Sequence, residues 1–320
     1  MRTKAFIMMA AAALAMAGCS NDNENDNWAG EIRLNSGLTV QQTNPRAATD
    51  IQSAQFDNGE NIDVFINEAT QTGQTTSTTY KQPLVYTADG NGNMKAPDNK
   101  QPYFPASGNG VNIYAYYPSE KVNSISDATT ITFSVETDQS GNTGEKNYKK
   151  SDLMYGRPAQ NPVNRTSSQI PLRFTHLLSK VTIILEQGDG TPSLDGAVVK
   201  LKSVLPSTTL TPSTGAISEA SGTAAEITVM TASSSALSGS AIVVPQTLPA
   251  SFIEITLADG GVLTSKNLKD SSGNPITNVV LNSGNVYTYT ITVNLTGLKV
   301  TSTITPWNGN ETHNGEAEMQ

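Results

Sequence analysis

The chain has 320 residues, a formal net charge of −8 and one cysteine. Charged residues are scarce and no basic block occurs, which argues against nucleic acid as a partner. A lone thiol permits no disulfide within the chain, and the abundance of Thr, Ser, Asn and Gly favours an all-β fold with many turns.

Arg2 and Lys4 precede an apolar run from Ala5 to Ala17, and Gly18 and Cys19 follow. Early positive charge, a short apolar core and small residues before the cut describe a secretory signal peptide over residues 1–18. A core of about 13 residues is too short to cross roughly 30 Å of hydrocarbon as a helix. The cysteine directly after Ala17-Gly18 resembles a bacterial lipobox, with Met16 where leucine is more usual. That resemblance implies a diacylglycerol on the Cys19 thiol and a mature chain that begins at Cys19, anchored in the outer membrane. The competing reading is a cleaved leader with an incidental cysteine. Residues 19–30 form an acidic tether, and Ser20 to Asn27 hold no apolar side chain. This stretch also resembles the acidic surface-export signal that follows the lipidated cysteine in some Gram-negative bacteria.

Strand signals dominate the remainder. Ile32, Leu34, Leu38 and Val40 share one parity, and Arg33, Asn35, Thr39 and Gln41 take the other. That is a period-2 strand with one buried face. A polar loop containing Pro45 follows, which sets residues 31–46 apart as a first strand and its loop. Residues 56–65 read as a turn leading into a strand. Leu84, Val85, Tyr86 and Met94 flank an Asp-Gly-Asn-Gly-Asn stretch and predict a hairpin. Asp89, Asn91 and Asn93 imitate a calcium loop, but Met94 stands where its glycine belongs and Lys100 where its glutamate does. Further strands are expected at residues 111–117, 131–135 and 153–155.

Two prolines within residues 157–164 suggest a linker. It would separate an N-terminal β-sandwich of residues 47–168 from a C-terminal one of residues 169–320. The second unit opens with a strand run at 172–185 and continues at 198–204, 227–230, 241–244 and 252–257. It ends at 286–295 and 298–304, where Tyr287, Tyr289, Ile291, Val293 and Leu295 share one face, and Leu298, Val300 and Ile304 another. No stretch combines a 3.6-residue apolar period with caps, so no helix is expected. The sum is two sandwiches in series.

Chemistry is thinly represented. The two histidines are His176, on a strand beside Phe174 and Leu178, and His313, in the polar tail. No G-x-S-x-G elbow accompanies them, so His176 reads as structural. No pair of carboxylates stands out for glycoside hydrolysis. Trp28 and Trp307 are few for a sugar-stacking platform. No cofactor or metal site is expected.

Several segments, taken in order, resemble the fimbrillin family of type V pilus subunits. They are Tyr114-Ala115-Tyr116-Tyr117-Pro118, Asp152-Leu153-Met154-Tyr155-Gly156 and the run from Leu172 to Val181. Val243-Val244-Pro245-Gln246, Gly284-Asn285-Val286-Tyr287 and Ile304-Thr305-Pro306-Trp307 complete the pattern. The resemblance implies two tandem transthyretin-like (Ig-like) β-sandwiches, no enzyme activity, and assembly with other fimbrillin-type subunits into a fimbrium on the outer membrane. It also implies an arginine-specific protease that cuts in the loop after the first strand. Arg46-Ala47 occupies that loop here, and Arg33, within the strand, is a poorer candidate. Removal of the strand would open a groove at the positions of Ile32, Leu34, Leu38 and Val40 to a strand from a neighbour. Residues 298–304 alternate in the same way and are the preferred donor. A stalk, tip or anchor role, a host or bacterial surface ligand, and the alternative of a surface glycan-binding lipoprotein of β-sandwich modules stay open at this point.

Overall fold

The computed structural model describes residues 28–38, 56–69, 83–119, 130–188, 190, 193–265, 268–270, 276–294, 297–307 and 317–319. In chain order these form β1 (Leu34–Leu38), β2 (Asn61–Glu68), β3 (Leu84–Ala88), β4 (Asn93–Lys95), β5 (Val111–Tyr117), β6 (Ile131–Ser134), α1 (Gly141–Ser151), β7 (Met154–Arg157) and β8 (Ile170–His176). There follow β9 (Ser179–Gln187), β10 (Val198–Val204), β11 (Ser207–Thr211), β12 (Ala216–Ile217), β13 (Ala225–Thr231), β14 (Ser238–Val243) and β15 (Gln246–Pro249). The last are β16 (Ile253–Thr256), β17 (Val262–Thr264), β18 (Leu268–Asp270), β19 (Asn278–Leu281), β20 (Asn285–Asn294), β21 (Gly297–Pro306) and β22 (Ala317–Met319).

The protein is all-β, with the expected strands at their expected places. Seven strands of the first half close into a barrel in the order β1-β4-β3-β2-β5-β7-β8, where strand spacing alone predicts a sandwich. The proline-bearing segment at 157–164 connects β7 to β8 inside this barrel, and Val111 and Val163 bond each other's backbones across it. The run at 172–185 is two strands, and only β9 joins the C-terminal sheets.

The remaining strands build a six-stranded sheet, β14-β9-β20-β21-β22-β18, and a four-stranded sheet, β13-β10-β16-β17. Their inward residues share one core. Val181, Ile183, Tyr287, Tyr289 and Ile291 of the first meet Val199, Leu201, Ile227 and Ile255 of the second. Residues 287, 289, 291 and 293 alternate inward along β20 as the sequence pattern predicts.

The two cores meet at the β2–β5 wall. Ile62, Val64 and Ile66 face the barrel core, while Phe65 and Tyr116 belong to the C-terminal core. Both faces of this wall are therefore buried, and five consecutive residues of β2 are hidden from water. A small sheet, β12-β11-β6, reaches across the junction, because β6 of the first half pairs with β11 of the second. At its turn, Gly215 has φ of 74°. A Cβ built there would lie 2.4 Å from the Tyr155 ring, so only glycine admits that approach.

The helix α1 departs from the expectation that there is none. Its sequence has no apolar stripe, and Ser140 makes no side-chain cap. Tertiary bonds hold it instead. Asn147 Nδ2 donates to Asp138 O (2.8 Å), Ser151 Oγ accepts from Glu136 N–H (2.9 Å), and Lys149 Nζ reaches Asp57 Oδ2 (2.6 Å). Lys149 and Lys150 in the last turn also suit the negative end of the helix.

One buried carboxyl at the junction has a consequence for pH. Asp63 of β2 is 2% exposed, and burial raises its pKa above the ordinary 3.8, against the lowering effect of Tyr116 and Ser119 beside it. Ser119 Oγ donates to Asp63 Oδ1 at 2.7 Å. A carboxyl whose folded pKa is raised holds its proton more tightly when folded. Its stabilising contribution is therefore complete below 3.8 and lost as pH rises through the folded value. Asp63→Asn should accordingly gain stability relative to the native chain on going from about pH 3 to about pH 7. Urea unfolding at both pH values measures this, and a difference that does not change with pH would contradict it.

Candidate functional site

The strand β1 closes the barrel. It runs parallel to β8, with Leu34 opposite Ile170 and Leu38 opposite Phe174, and antiparallel to β4, with Leu34 opposite Met94. Pairing extends on both sides of the strand. Ile32 N–H donates to Pro102 O (2.8 Å), Phe104 N–H to Gly30 O (2.9 Å) and Ile170 N–H to Arg33 O (2.8 Å). Gln101 Nε2 donates to Ile32 O at 3.0 Å.

The inward side chains explain why the strand is held. Ile32 is 1% and Leu34 2% exposed, in the barrel core with Met94, Phe104, Ile170 and Leu172. Full burial of the two is worth about 3–6 kcal/mol as an upper estimate. That is a large share of the ~5–15 kcal/mol that stabilises a typical domain. Ser36, on the same parity, is also buried. Its N–H donates to Gly92 O at 2.8 Å, and its Oγ lies 3.4 Å from that oxygen, above the turn between β3 and β4. Upstream, Trp28 donates its indole N–H to Glu31 O (3.0 Å) and meets Phe104 edge-on. The Arg165 guanidinium lies 4.8 Å from its ring centroid, within cation–π reach.

Of the sequence-derived site residues, Ile32 and Leu34 come together in this seat. Leu38 is described by its backbone register alone. Cys19, Val40, Arg46 and Ala47 lie outside the described residues. The carbonyl of Arg33 is bound to β8, so the peptide beside that arginine is tied into the sheet. Ser36 and the Trp28–Arg165 pair escaped the sequence reading. The signal for Ser36 was its inward parity between Leu34 and Leu38. Nothing local signals Arg165, whose partner is distant in sequence.

The proposed donor, residues 298–304, lies in β21. It pairs with β20 in unbroken antiparallel register from Asn285↔Pro306 to Asn294↔Gly297. Val300 is buried there, while Leu298 and Ile304 are partly buried. Just beyond β21, Trp307 stacks on His176 with ring centroids 3.7 Å apart. His176 Nδ1 lies 2.8 Å from Asp152 Oδ1, and both side chains are buried. The nearby Ser151 hydroxyl donates to Asn147 O. The histidine thus sits in a packed junction between barrel and C-terminal sheet.

The acidic turn is likewise accounted for. Asp89 Oδ1 accepts from Asn91 N–H (2.8 Å) and Asn93 N–H (3.0 Å), and its Oδ2 from Asn93 Nδ2 (2.8 Å). The hydrogen bond from the Asn93 side chain leads in holding the Asp89 carboxyl below its ordinary range. This is a self-contained Asx turn.

Comparison with known proteins follows the same lines. Fim1C of Bacteroides uniformis, a candidate fimbrium subunit, is 26% identical over 99% of this chain and 100% of its own. A solved candidate cell adhesion protein of Bacteroides uniformis superposes with a TM-score of 0.62 at 23% identity, over 87% of this chain and 98% of its own. Another, from Bacteroides ovatus, gives 0.66 at 17% identity, over 87% and 97%. These two structures share the fold. The family model described as fimbrillin-like matches residues 46–307, which is most of the chain, and the protein belongs to the fimbrillin-like family.

Proposed function

We propose that the chain is a structural subunit of a type V fimbrium, anchored in the outer membrane through a lipid on Cys19 and assembled by strand exchange. The barrel and the C-terminal sandwich stand as its two transthyretin-like units. An arginine-specific protease cuts between Arg46 and Ala47, and other fimbrillin-type subunits are its partners. The role requires no cofactor and no catalysis.

The observation that carries this reading is the position of β1. It is a barrel-closing strand with Ile32 and Leu34 buried, and Arg46 follows it in the sequence. Its loss leaves β8 and β4 with unpaired edges over an apolar core, a template for another strand.

Limited trypsin digestion of the mature protein tests the cut. The first new N-terminus should be Ala47, with the remainder resistant. First cuts confined to β9 through β21 would contradict the assignment.

A further inference from the structure

Beyond Ala47 the chain holds three arginines, Arg157, Arg165 and Arg173. Arg157 and Arg173 oppose each other across β7 and β8, within the barrel sheet. Arg165 alone of the three stands outside a strand, in the segment 164–169 that leads into β8. All of that segment except Thr166 is exposed.

We propose that Arg165-Thr166 is a second site for an arginine-specific protease, masked by residues 28–34 and uncovered when the segment ending at Arg46 leaves. The inference rests on the strand release proposed above and goes beyond it, because it marks a cut subunit whose barrel stays open for destruction. Hydrolysis places the hydroxyl of water on the Arg165 carbonyl carbon and the remaining proton on the Thr166 nitrogen. The chain is then severed between β7 and β8.

The first lock holds the side chain. The Arg165 guanidinium lies 4.8 Å from the Trp28 ring centroid, and its Nη2 is 3.5 Å from Ala29 O. It also lies against Gly30, where a Cβ would come within 2.6 Å of Nη2. A protease that reads arginine pairs the same guanidinium with a carboxylate of its own, so the two contacts compete. A cation–π contact at an exposed site slows such capture by a factor of about two to five.

The second lock holds the backbone. A protease cleft takes an extended stretch of chain, and cleavage tracks the population that opens far enough to enter it. Upstream, Val163 and Val111 exchange backbone hydrogen bonds of 2.8 and 2.9 Å, which survive the loss of β1. Downstream, Ile170 N–H donates to Arg33 O at 2.8 Å, and residues 170–174 run beside β1. On its other side β8 meets β7 only from Arg173 to His176. Residues 170–172 therefore have β1 as their one strand partner among the described residues. Its departure lengthens the untethered stretch from residues 164–169 to residues 164–172. While the fragment stays seated after the first cut, both locks hold and the rest of the chain resists.

The test follows the appearance of an N-terminus at Thr166 by mass spectrometry, in the full mature chain under trypsin. In an Arg46→Ala chain, whose first segment cannot leave, this cut should be slow. Adding Trp28→Ala should speed it about twofold to fivefold. Adding Gln101→Ala, which removes a bond to Ile32 O without touching Arg165, should leave it unchanged. In native protein cut at Arg46 and freed of the fragment, the Thr166 terminus should appear about tenfold faster or more than in the Arg46→Ala chain. A synthetic peptide of residues 27–40 should slow it again. A fragment that leaves without any acceleration at Arg165 overturns the inference and leaves strand release standing. Equal acceleration by Trp28→Ala and Gln101→Ala, or none by either, overturns the side-chain lock. A fragment that never leaves overturns strand release and the unmasking together.

Discussion

Cleavage between Arg46 and Ala47 should make the melting temperature of the barrel depend on protein concentration. Before the cut, β1 is part of the chain. Afterwards it is a bound peptide, and its contribution to stability falls as the sample is diluted. The apolar part of that contribution is about 3–6 kcal/mol for Ile32 and Leu34 together. Full loss corresponds to a drop on the order of 10 °C or more for a domain of this size. Leu34→Ala in the uncut chain should reproduce part of the effect, at about 2–5 kcal/mol, because it leaves a cavity among Met94, Ile170 and Leu172. Calorimetry of cut and uncut protein at two concentrations measures this. A cut protein that melts like the uncut one at every dilution would mean that β1 is not what closes the barrel.

The other large effect concerns the anchor. With Cys19→Ser, the mature protein should leave the membrane fraction almost completely, or accumulate as a precursor that keeps residues 1–18. In the proposed reading the thiol is the acceptor for the lipid, and the sequence holds no other cysteine to replace it. One acyl chain holds a protein only marginally, whereas two or more together hold it stably, so losing the acceptor removes the whole attachment. Fractionation and N-terminal mass measurement decide the matter. Unchanged membrane retention of a normally processed Cys19→Ser chain would sink the lipoprotein assignment.

Much of this fold is legible because most strands obey a period of two. The bounds of β5 and β10 match the sequence reading, and the inward face of β20 was visible in Tyr287, Tyr289, Ile291 and Val293. The limits have equally physical causes. In β2, both faces are buried by different cores, so Ile62 to Ile66 show no alternation in burial. Between His176 and Val181 the inward parity changes from even to odd. Leu172 and Phe174 face the barrel core, and Val181, Ile183 and Leu185 the C-terminal core. That phase change marks the break between β8 and β9, and it was present in the sequence although the run read as one segment. The helix α1 was invisible because its stability comes from Asp138, Glu136 and Asp57, outside the helix.

The candidate site divides in the same way. The buried face of β1 followed from local alternation, which placed Ile32 and Leu34 correctly. Its neighbours did not follow, because β8 pairs with β1 from the other end of the barrel's sequence. Parallel pairing of that kind leaves no short-range turn signal. The role of Ser36 emerged only once Gly92 was seen beneath it.

The central claim is that removing β1 licenses polymerisation. The most direct measurement is negative-stain electron microscopy of the mature protein after limited trypsin, beside an Arg46→Ala variant treated identically. The account predicts fibres from the native chain and monomers from the variant. Fibres from Arg46→Ala, or monomers from fully cut native protein, would contradict it.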